Sequence, residues 1–169
     1  MILKSLFQTT PSPVERLYGQ IVAAARRPLF YAQWRVPDTV EGRFEMIALH
    51  MFAVLNRLKD DPEKKMAQQL VDVFFADMDR SLREMGVGDL TVGKKVRKIA
   101  ESFYGRVDAY QKGLANSDDT LKHAIERNVY AGIVATNANQ LSAWLRNTVA
   151  SLSGQTPEAL RHGNVEFPE

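Results

Sequence analysis

Apolar residues recur along this chain at steps of three and four, the spacing that predicts helices. "SPVE" at 12–15 is a capping box with proline at the first helical position. Val14, Leu17, Tyr18 and Ile21 follow at helical spacing until "ARRP" closes the helix near Arg27. "LFYAQWRVP", bounded by Pro28 and Pro37, is short and aromatic and reads as a helical turn or packed loop. "DTVE" opens a second long helix with Asp38 or Thr39 as its cap. Val40, Phe44, Ile47, Met51, Val54, Leu55 and Leu58 share one face of it. Between Glu45 and Asn56 it is apolar nearly all round, as a central buried element is.

The pattern continues to the end. "KDDPEKK" turns the chain and starts a third helix with Pro62 early in it. This helix runs to Met85 through Met66, Leu70, Val73, Phe74, Met78 and Leu82, and Gly86 supplies a left-handed stop. A fourth begins near Thr91 and carries Val92, Val96, Ile99, Phe103, Val107, Tyr110 and Leu114. "NSDDT" caps a fifth, "NANQLSAWLRNTVASL" is a sixth, and "GQTPEALRHGNVEFPE" is a short helical turn with a tail. The expected architecture is all-α: one compact helical domain of about six to seven helices with short connections. Its boundaries fall at an N-terminal tail over 1–11, the helical domain over 12–153 and a short helix with tail over 154–169.

One stretch competes with this reading. "GVGDLTVGKK" is G-x-x-x-x-G-K from Gly88, one residue short of a nucleotide-binding loop. Such a loop needs a strand before it and Ser or Thr after its lysine to hold magnesium. An amphipathic helix precedes this one and Lys95 follows Lys94. The glycines therefore read as the end of one helix and the start of another.

Composition narrows the chemistry. The chain has 169 residues, 45% hydrophobic and 25% charged, with a net charge of +2 and no cysteine. Thiolate metal sites, disulfides and cysteine nucleophiles are excluded. The net charge alone does not argue for nucleic acid. The longest apolar run, "MIALHMFAVL", has His50 inside and about half the length needed to cross a bilayer. The start, "MILKSLFQTTPSP", is too short in its apolar part for a secretory signal. A cytoplasmic chain that touches the inner face of a membrane without spanning it is the expectation.

Candidate chemistry is sparse. His50, His123 and His162 have no metal-ligand spacing, no Glu has a His three residues on, and no G-x-S-x-G occurs. His50, beside the apolar stripe of the second helix, reads as a hydrogen-bonded core histidine. Asp77 projects from the side of Leu70, Val73 and Phe74 and needs a partner. It is either a structural clamp, to Arg43 or Arg106, or part of a recognition site. Asp79 with Arg83 and Arg80 with Glu84 have the spacing of solvated pairs. Lys94, Lys95, Arg97 and Lys98 face away from the core: a solubilising face, or a contact for ribosomal RNA, anionic lipid or an acidic partner. Five of six methionines, Met46, Met51, Met66, Met78 and Met85, lie on the second and third helices. They fill an irregular core or line an adaptable surface, with core favoured.

Three stretches then belong together: "LFYAQWRVPDTVEGRFEMIALHMF" (29–52), "FFADMDRSLREMGVGDLTVGKKVRK" (74–98) and "FYGRVDAY" (103–110). They resemble the ubiquinol–cytochrome c chaperone family, over about Tyr18 to Leu114, with the C-terminal third only loosely similar. The resemblance implies a helical, non-enzymatic assembly factor for the cytochrome bc complex, with no cofactor. It implies binding of newly made cytochrome b, association with the ribosome near its tunnel exit, and a small assembly partner protein. DNA is not among the expected partners. The positions it implies for partner binding are Asp77, Asp79, Arg80, Arg83, Glu84, Asp89, Lys94 and Lys95, with Phe44, Tyr104, Arg106 and Tyr110 around them.

The leading expectation is a chaperone that grips its client by an apolar surface with a charged rim. A plain ribosome- or anionic-membrane-binding helical module is the first alternative. A small-molecule-binding enzyme is the second, and would show a closed pocket with converging titratable groups.

Overall fold

A computed structural model describes residues 10–133 and 137–169; most of the expected N-terminal tail lies outside the described residues. Among the described residues seven α-helices follow in order: α1 Pro13–Ala25, α2 Val40–Leu58, α3 Lys65–Glu84, α4 Asp89–Ala115, α5 Asp118–Asn128, α6 Ala138–Ser153 and α7 Pro157–Arg161. A π-helical turn, Leu29–Gln33, joins α1 to the approach to α2. No strand occurs among the described residues.

Local chemistry sets most boundaries. Ser12 and Glu15 form the reciprocal capping box of α1. The Thr39 hydroxyl accepts from the Gly42 N–H and caps α2; Ser117 and Thr156 do the same for α5 and α7. Gly86, at φ +88°, takes the left-handed conformation that stops α3. Two expected starts move. Pro62 lies in the turn before α3, because the buried Asp61 carboxylate accepts from the Glu63 N–H and the Arg161 guanidinium and pins that turn; α3 begins only at Lys65. α4 begins at Asp89 with Gly88 as its cap residue, since the Gly88 carbonyl already accepts from the Thr91 and Val92 N–H groups. Thr91 is inside the helix, and so are Gly93 and Lys94, so the phosphate-loop glycines form no loop.

α2 is the central element. α1, α3, α4 and α6 all pack on it, α5 bridges α4 and α6, and α1 also packs on α3. Every residue from Glu45 to Val54 is buried, as its all-round apolar pattern requires. His50 is fully enclosed by Phe30, Trp144 and Phe167, whose ring centroids lie 5.5, 4.7 and 5.0 Å away. Its Nδ1–H donates to the Met46 carbonyl at 2.7 Å. Burial drives its pKa down to about 3, so the ring is neutral.

The C-terminal stretch is fastened along α1 and the end of α6. Gln20 donates to the Gly163 carbonyl at 2.7 Å and accepts from the Val165 N–H at 2.9 Å; Gln155 brackets Glu166 in the same way. Arg27 holds the Pro168 carbonyl at 2.6 Å. These side chains satisfy backbone groups of a tail that forms no regular structure after α7.

Candidate partner-binding groove

Three apolar stripes emerge from the core at one end of the molecule. Along α3, Met66, Leu70 and Phe74 are buried, Met78 and Leu82 half-buried, and Met85 57% exposed. Along α4, read backwards, Tyr110 and Phe103 are buried, Ile99 and Val96 half-buried, and Leu90 fully exposed. α2 begins with Val40 63% exposed, then Phe44 half-buried, before it enters the core. The stripes leave an open groove of about 410 Å³ lined by Val40, Phe44, Ile47, Met78, Leu82, Met85 and Ile99. Past Phe44, Leu82 and Ile99 it continues into a second hollow of about 390 Å³, edged by Lys95 and Lys98.

Charge frames and underlies this apolar surface. At the floor, Arg106 Nε lies 2.6 Å from a Glu45 oxygen, a second guanidinium nitrogen meets the other oxygen, and a third donates to the Ser102 carbonyl. Burial pushes the Glu45 carboxyl up, against the pull of Arg106. The Arg106 guanidinium also lies 5.6 Å from the centre of the Phe44 ring, which stacks on Phe74 at 6.1 Å. At the rim, Asp77 accepts from the Tyr18 phenol at 2.8 Å and pairs with Arg80. Burial, then the Asp77 carboxylate, pushes the Tyr18 phenol up. Arg83 bridges Asp79, at 2.5 Å, to Asp89, tying the end of α3 to the start of α4.

The residues expected to bind a partner divide accordingly. Phe44, Asp77 and Arg106 line the groove, and Lys95 edges its extension. Asp79, Arg80, Arg83, Glu84, Asp89 and Lys94 form a charged belt outside the lining, at the α3–α4 corner. Tyr104 is exposed on the outer side of α4, 6.2 Å from Phe75. Tyr110 is fully buried against Phe52 and belongs to the core, out of a partner's reach. Asp77 is a clamp, but not to the expected arginines: Arg43 reaches Asp38 at 2.7 Å and Arg106 is held by Glu45. Arg80 turns back to Asp77 rather than on to Glu84, because the Asp77 carboxylate is half-buried beside it.

The sequence pattern assigned Val40, Met78, Leu82 and Ile99 to the core, where all apolar stripe positions go. Only Met85, beside the glycine that ends α3, hinted that the stripe outruns its cover. The methionines divide as well: Met46, Met51 and Met66 are core, while Met78 and Met85 line the groove. Among the described residues no three acidic or histidine side chains converge to hold a metal ion. No described helix is long and apolar enough to cross a membrane.

A sequence model of the family described as "Ubiquinol-cytochrome C chaperone" matches residues 32–167 and so includes the C-terminal third. The crystal structure of a Cbp3 homolog from Brucella abortus superimposes with a TM-score of 0.85 and 42% identity, covering 93% of this chain and 89% of that one. Assembly factor 1 of the ubiquinol–cytochrome c reductase complex from Xenopus laevis is 27% identical over 68% of this chain and 58% of its own length. The mitochondrial protein CBP3 of Saccharomyces cerevisiae is 31% identical over 61% of this chain and 32% of its own length. The chain thus spans roughly a third to three fifths of these two curated relatives. It belongs to the ubiquinol–cytochrome c chaperone family.

Proposed function

We propose that this protein is an assembly chaperone for ubiquinol–cytochrome c reductase, and that it holds newly made cytochrome b in the α2–α3–α4 groove. The observation that carries the reading is the groove itself: seven apolar side chains line it, six of them only partly covered, over a buried ion pair and inside a frame of paired charges. A membrane protein waiting to be assembled presents apolar helices. Burying one of their large side chains contributes about 1.5–3 kcal/mol, so a few anchors give a firm but reversible grip. Methionines at two lining positions suit a client that presents more than one face. Family membership supports the same reading. The reading involves no covalent step: the groove is open, and burial is the leading cause of the strong pKa shifts of His50 and Tyr110 in the core and of Tyr18 at the rim. The chaperone works at the inner face of the membrane that receives cytochrome b.

Photo-crosslinkers placed at Leu82, Met85 and Ile99 test this. They should capture nascent cytochrome b, while one at the outward-facing Gln111 should not. Capture from every position alike, or a normal cytochrome bc complex after gene deletion, would sink the reading.

A further inference from the structure

The corner between α3 and α4 combines two properties, an excess of cations and exposed aliphatic side chains. From Asp79 to Lys98 there are six cations against three carboxylates, a local excess of three where the whole chain's excess is two. The rest of the molecule is therefore slightly acidic. Arg83 occupies Asp79 and Asp89, whereas Lys94, Lys95, Arg97 and Lys98 are exposed and engage no carboxylate. At the same corner Leu90 is fully exposed, Met85 is more than half exposed, and Val87 lies between them. Leu90, Lys94 and Arg97 are four and three residues apart and so share one side of α4.

From this geometry we infer that the α3–α4 corner is a peripheral docking surface for a bilayer carrying anionic lipid headgroups. Leu90 enters the boundary between headgroups and acyl chains, and Lys94 and Arg97 on the same side of α4 meet the phosphates, with Lys95 and Lys98 adding to the local positive charge. An aliphatic tip flanked by lysine and arginine matches that boundary, apolar below and negative above. Single-stranded RNA would instead call for aromatic side chains among the cations, on which bases stack. The exposed aromatic of α4, Tyr104, stands fourteen residues from Leu90, about 21 Å along the helix axis. Met85 belongs to both the corner and the groove, so a segment leaving the groove on that side meets the bilayer directly. The docking surface itself does not depend on what the groove holds.

Flotation of the full chain with vesicles tests this, using phosphatidylcholine alone and phosphatidylcholine mixed with phosphatidylglycerol. Binding is expected to the mixed vesicles only, and to fall as salt rises. Arg97→Gln should weaken it about five-fold, and Leu90→Gln about ten-fold. Both side chains are exposed, so the thermal midpoint should not move. Two results would overturn the inference: no binding to the mixed vesicles, or binding that Leu90→Gln leaves intact and that an RNA oligonucleotide displaces. The second would make the corner an RNA site. Crosslinking of the client from the groove in detergent should be unchanged in Leu90→Gln, so failure of the docking surface and failure of the groove are read separately.

Discussion

His50 is a neutral imidazole sealed among aromatic rings, and among the described residues its Nε2 has no hydrogen-bond partner; the neighbouring Trp144 Nε1 has none either. The folded ring takes up a proton only near pH 3, the unfolded one near its ordinary 6.5. Between those values the unfolded chain binds more protons, so acid favours unfolding. The contribution is complete above pH 6.5 and drains away as pH falls, by about 1.4 kcal/mol per pH unit. Urea unfolding at pH 7 and pH 5 should therefore show a loss of about 2 kcal/mol in the parent that His50→Phe does not share. Equal losses in both proteins would mean that the ring is not sealed. Arg106 makes the opposite case, a charge that must stay. Removing it strands the nearly buried Glu45 carboxylate, so Arg106→Ala should cost about 3 kcal/mol. In a Glu45→Ala background the same change should cost far less, and that non-additivity in a double-mutant cycle is the check.

Among elements, α4 offers two glycines with opposite expectations. A Cβ on Gly113 would sit 2.7 Å from the Leu121 Cα, backbone that cannot turn aside, so α4 and α5 approach as closely as they do only because Gly113 has no side chain. Gly113→Ala should destabilise the protein by about 1–3 kcal/mol as the hairpin is forced apart. Gly105 meets nothing within 4 Å, and there alanine should stabilise α4 by about 0.5–1 kcal/mol. Thermal midpoints moving in the same direction for both would contradict this packing. The contrast also marks how far sequence reasoning reaches. The cap at Ser12, the stop at Gly86 and the burial of α2 are local or periodic and were legible; Thr39 was one of two candidates with Asp38, and Ser117 lay within the capping stretch "NSDDT". Which glycine is pressed against a neighbour, or that Asp77 answers Tyr18 from α1, depends on how helices distant in sequence meet. So does the Glu45–Arg106 pair, whose partners are sixty-one residues apart. The candidate site was half legible for the same reason: its charged belt and Phe44 could be named, while the rest of its apolar lining could not be told from core.

At the scale of the whole molecule, the groove is where three stripes outrun their neighbours, and that makes it separable from stability. A core position cannot take a charge without unfolding cost, whereas a lining position already in water can. Val40 and Met85 both line the groove, one at the start of α2 and one just past the end of α3, and both are more than half exposed. Val40→Glu with Met85→Glu should therefore leave the thermal midpoint within about 2 °C, the shift of a change worth under half a kcal/mol in a domain this size. Client capture should fall at least about ten-fold, since each carboxylate must be stripped of water to admit an apolar helix. The matched change Phe52→Glu, in the core, should abolish folding and capture together. Capture and stability falling in step in the groove variant would show that these walls are structural. Full capture at full stability would show that the client is gripped elsewhere.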